Sequence, residues 1–60
     1  MLIKLRQANE SGEEVGVIFI NPDQIVVLTT VQNVTEIRTA DGKSQWVKET
    51  TEQIAAMMKP

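Results

Sequence analysis

The chain has 60 residues, six basic against eight acidic, with no histidine and no cysteine. That inventory excludes disulfides, ordinary zinc sites and any histidine-activated nucleophile, and a net charge of −2 gives no global basic footprint. A single domain of this length, residues 1–60, buries only about 60% of the surface its unfolded chain exposes. Small folds lean on disulfides, metals or subunits, and here only subunits are left.

Residues 2–7 alternate, with Ile3 and Leu5 on one face and Lys4 and Arg6 on the other, the period of a half-buried strand. The polar run that follows holds a Ser11-Gly12 turn signal and places a hairpin loop at residues 9–13. Glu10, Glu13 and Glu14 crowd this tip, where exposure neither desolvates nor positions them; they read as a solvated loop, not as an acid/base pair. Residues 15–20 form a strand apolar on both sides. Val15, Val17 and Phe19 share one face, and Ile18 and Ile20 share the other with Gly16, so cover is expected on both.

Asn21-Pro22-Asp23 breaks that strand. Pro22 lacks an N–H and the flanking Asn and Asp side chains bond local backbone, so turn chemistry accounts for the motif. Residues 24–31 are rich in β-branched side chains and predict a third strand. Unbroken alternation there puts Ile25, Val27 and Val31 on one face and Val26 and Leu28 on the other. Gln32-Asn33 is a two-residue connection into residues 34–39, where Ile37 points inward while Glu36 and Arg38 are solvated. Asp41-Gly42 fits a type I′ hairpin turn. The returning strand, residues 43–48, sets Trp46 and Val47 on opposite sides.

The chain closes with a helix over about residues 50–59. Thr50 and Gln53 have capping-box spacing, and Ile54, Met57 and Met58 form a narrow apolar stripe. Lys59-Pro60 stops it. The sum is a mainly β (α+β) fold: a small antiparallel five-stranded meander, or a partly closed barrel, with one short C-terminal α-helix.

One short helix covers only part of one sheet face. Leaving Ile18, Ile20, Val26 and Leu28 in water forfeits ~1.5–3 kcal/mol each, comparable with the stability of a domain this size. A homo-oligomer covers them, and Ile18, Ile20, Val26, Leu28, Trp46, Ile54, Met57 and Met58 are its candidate interface. Met1 runs straight into Leu2-Ile3-Lys4-Leu5, an apolar stretch too short for a signal sequence or a membrane span, so a cytoplasmic protein without membrane insertion is expected.

Taken in order, Ile3-Lys4-Leu5, Ile20-Asn21-Pro22-Asp23-Gln24-Ile25, Asp41-Gly42-Lys43 and Val47-Lys48-Glu49-Thr50 resemble the pattern of the small flagellar FlbD-like proteins, the family that includes the swarming-motility protein SwrD. The resemblance spans nearly the whole chain. The loop from Asn9 to Gly16 is longer than the compact turn of that family, and residues 29–34 lack its acidic Pro-Asp connection. The resemblance implies a bacterial, non-enzymatic accessory of motility and brings no catalytic residue.

The functional expectation is therefore a non-catalytic, self-associating interaction module, with no cofactor and no metal. Its alternative is an oligomeric nucleic-acid-binding regulator, of phage or mobile-element origin, in which Lys4, Arg6 and Arg38 repeat around the assembly into a basic path. An enzyme would require Asp23, Glu36 or Glu49 to meet across a subunit boundary.

Overall fold

The computed structural model describes residues 1–59 and contains β1 (Ile3–Ala8), β2 (Glu14–Ile20), a 3-10 turn (Pro22–Gln24), β3 (Ile25–Val31), β4 (Val34–Thr39), β5 (Ser44–Val47) and α1 (Thr51–Met57). Pro60, read above as part of the helix stop, lies outside the described residues. The five strands make one open antiparallel sheet in the order β2-β1-β5-β4-β3. β3, β4 and β5 are a meander, and the β1–β2 hairpin joins it where Gln7 pairs with Val47.

That order leaves β2 and β3 as the two edges, although residues 21–24 alone connect them. A flat sheet would hold edges four strand spacings apart, about 19 Å at ~4.8 Å per strand. A 3-10 turn rises only ~2 Å per residue. The sheet therefore curls, and its concave face becomes the core.

Ile3 and Leu5 from β1, Ile37 from β4, Val47 from β5 and Ile54 from α1 fill the concavity, with Ile18, Ile20, Ile25 and Leu28 packed against them. Leu5, Ile37, Val47 and Ile54 have no exposed surface. Seven helical residues cannot persist alone in water, so burial of Ile54 and the Thr50/Gln53 capping box hold α1 in place. Both halves of that box are formed: Gln53 N–H donates to the Thr50 hydroxyl and Thr50 N–H to the Gln53 side chain.

Three expectations are corrected. In β2 the pairs Ile3–Ile20 and Leu5–Ile18 place the isoleucines on the core side, and Val15, Val17 and Phe19 face outward. In β3 a bulge between Ile25 and Val27 inserts one residue into the strand. Alternation is broken there, so Ile25 and Leu28 both reach the core while Val26 and Val27 are both exposed. The Asp41-Gly42 turn is not type I′. Thr39 and Lys43 bracket a three-residue loop in which only Gly42 has a positive φ, +85°, the arrangement of a type I turn closed by a left-handed glycine.

Candidate functional site

The proposed site residues fall into two groups. Ile54 lies wholly inside the core, and Ile18, Ile20 and Leu28 pack against it with part of their surface open. Trp46 is half-buried on the convex face, beside Val34 and the tip of the β1–β2 loop. Val26, Met57 and Met58 are exposed. The apolar surface that sequence reasoning left out of the interface is the outward row of β2, Val15, Val17 and Phe19, with Leu2 one step beyond it. The period of two identifies both faces of this strand. Only the pairing with β1 says which of them turns to water.

Among the described residues, ten large apolar side chains are exposed, against seven apolar residues buried in the core. The exposed set clusters on the two sheet edges: Val15, Val17 and Phe19 along β2, and Val26, Val27 and Val31 along β3. Above the concave side of β2 opens a cleft of about 460 Å³. Ile18 and Ile20 form its apolar wall, and Gln7 and Gln45, joined by a 3.1 Å side-chain hydrogen bond, form part of its floor.

The basic residues do not act as one patch. Lys4 and Arg38 are exposed, on β1 and β4, with β5 between those strands. Arg6 is engaged within the chain, its Nε donating to Glu49 Oε2 at 3.1 Å and its guanidinium lying 3.9 Å from Glu14. Lys48 reaches across to the carbonyl of Gly12 at 2.7 Å and pins the β1–β2 loop.

The carboxylates are equally dispersed. Glu13 accepts from the Asn9 side chain inside its own loop. Asp23 belongs to the 3-10 turn, Glu36 to β4, and Glu49 is buried where β5 leads to α1. No group of three or more acidic side chains converges among the described residues. Two carboxyls are shifted, both below their ordinary values and both through local hydrogen bonds. Asp41 accepts from the Thr39 hydroxyl and the Lys43 N–H, and Glu52 accepts from the Thr51 hydroxyl. Each is fully exposed and serves a turn or a helix start.

The geometry thus offers two unpaired sheet edges and an edge-side cleft. Among the described residues, no helix is long and apolar enough to cross a membrane. No family model, curated protein or solved structure matches this chain.

Proposed function

We propose that this protein is a non-enzymatic interaction module that works as a self-associated assembly. The observation that carries this reading is the exposed apolar surface: ten large apolar side chains lie open to solvent, and six of them line the two unpaired sheet edges. Contiguous apolar surface of this kind marks interaction sites in soluble proteins. The edges themselves are rows of unused hydrogen-bonding groups.

The order of motifs shared with the flagellar FlbD-like proteins supports placing the module as an accessory of bacterial motility in the cytoplasm. The nucleic-acid alternative draws less support, because Arg6 is occupied by Glu49 and Glu14. Sedimentation of the purified chain across a micromolar series tests the core of the reading: a mass above the 6.7 kDa of one chain is expected. A monomer throughout overturns it. Deletion of the gene with a swarming assay tests the motility role, and unaltered swarming removes that part.

A further inference from the structure

We propose that the free edge of β2 pairs with the same edge of a second copy, antiparallel, about a two-fold axis through Ile18. The idea rests on the self-association proposed above and specifies its interface.

Hydrogen-bond parity supplies the register. Both main-chain groups of Arg6 point away from β2: its carbonyl accepts from Lys48 N–H at 2.9 Å, and its N–H donates to Glu49. Arg6 and Val17 are therefore a non-hydrogen-bonded pair, and antiparallel alternation turns the N–H and C=O of Val17 outward. Two residues on, those of Phe19 do the same, while Gly16, Ile18 and Ile20 bond β1. An incoming antiparallel strand must then bond at Val17 and Phe19.

A two-fold through Ile18 sets Val17 of each copy opposite Phe19 of the other, each pair exchanging both of its N–H···O bonds. This register stays clear of the bulge beside Val15 and of Pro22, which has no N–H to give. On the convex face it forms two aromatic–β-branched cross-strand pairs from side chains that are 47% and 61% exposed. On the concave face Ile18 meets its twin, and Ile20 stands opposite Gly16 of the other copy. Gly16 has no side chain, and the space a Cβ would enter there meets only Gln7 Oε1, at 3.9 Å.

The strand is thus complementary to itself on both faces, which is why the occupant is a second copy. Natural edges are guarded by lysine, proline or a bulge. Residues 16–20 contain no charge and no proline, and the bulge lies just outside them. One edge covers less than the about 800 Å² per partner of a standard interface, so micromolar affinity is expected.

The test is sedimentation equilibrium combined with cysteine cross-linking, in a chain that has no cysteine of its own. Wild type should reach twice 6.7 kDa. Val17→Pro deletes an N–H that bonds nothing inside the chain, and Phe19→Glu gains Lys4 as its cross-strand neighbour. Both should stay at 6.7 kDa with a wild-type circular dichroism spectrum, while Thr30→Pro, on the β3 edge, should associate like wild type. Under mild oxidation Ile18→Cys should form a covalent dimer, since twin residues at a non-hydrogen-bonded site lie about 4.5 Å apart at Cα. Phe19→Cys, whose partner is Val17, should not. If Val17→Pro fails to fold, Phe19→Glu and the cysteine pair decide. A monomeric wild type overturns this pairing together with self-association. An oligomer that survives Phe19→Glu, or that cross-links no faster at Ile18→Cys than at Phe19→Cys, overturns the pairing alone.

Discussion

The main-chain N–H of Arg6 donates to both carboxylate oxygens of Glu49, at 3.0 and 3.2 Å, so a side chain completes the ladder between β1 and β5. Lys48 N–H reaches the Arg6 carbonyl, and Glu49 supplies the reciprocal acceptor just as the chain leaves β5 for α1. The Glu49 carbonyl in turn accepts from the buried Thr35 hydroxyl at 2.7 Å, so one residue ties β1, β4 and the entry to α1.

Glu49→Ala leaves the Arg6 N–H without its carboxylate acceptor, while the Thr35 bond to the Glu49 carbonyl is kept. The expected cost is about 1–3 kcal/mol, a large fraction of the stability of so small a domain. Arg6→Ala keeps the main-chain bonds and removes only the Nε contact and the distant Glu14 pair, so it should cost less. Urea titration followed by Trp46 fluorescence compares the two. Equal costs would show that the side-chain ion pair, not the ladder closure, is what matters.

The β3–β4 turn holds Gln32 at φ +53°, the only non-glycine residue in the left-handed region among the described residues. That conformation costs an L residue about 1–2 kcal/mol, while glycine adds back up to about 1 kcal/mol of unfolded-chain entropy. Gln32→Gly is therefore expected to stabilise by about 0.5–1 kcal/mol. Gly42→Ala, at φ +85°, should go the other way by about 1 kcal/mol. Denaturation midpoints with unchanged slope read both, and a destabilising Gln32→Gly contradicts the turn geometry.

Asp41 gives a pH signature. Its folded pKa is lowered, first by the Thr39 hydroxyl and then by the Lys43 N–H. A depressed folded pKa contributes stability that is present above the unfolded value, near 3.8, and is lost as pH falls through the folded one. Asp41→Ala should therefore unfold at lower urea than wild type at neutral pH, and the gap should shrink as the medium is acidified below the ordinary carboxylate range. A gap independent of pH would assign the effect to turn propensity rather than to the charge.

What the sequence disclosed follows the range of the interactions. Asn21-Pro22-Asp23, Gln32-Asn33, Asp41-Gly42 and the Thr50/Gln53 cap are settled within a few residues, and each turn or cap stands at its expected place, the Asp41-Gly42 turn differing in type. The β1–β5 pairing joins residues 40 apart in the chain and leaves no local trace. The register of β2 on β1, offset by the bulge at Val15, decides which face of β2 is covered, and so it moves the candidate interaction surface from Ile18 and Ile20 to Val17 and Phe19. Arg6 was legible as a strand cation but not as Glu49's partner, because that contact exists only once β1 and β5 lie side by side.

The bulge in β3 supplies the sharpest test of the face assignment, since it separates two residues that simple alternation treats alike. With an unbroken strand, Val26 and Leu28 share one face, and trimming either to alanine has the same effect. The bulge instead leaves Val26 59% exposed and packs Leu28 on the core. Leu28→Ala should cost about 2 kcal/mol, at the low end for a core leucine because the site is only half-buried. Val26→Ala should stay within ~0.5 kcal/mol, as surface substitutions do. Comparable losses at both positions, read from urea midpoints, would restore the regular strand and return Val27 to the core side.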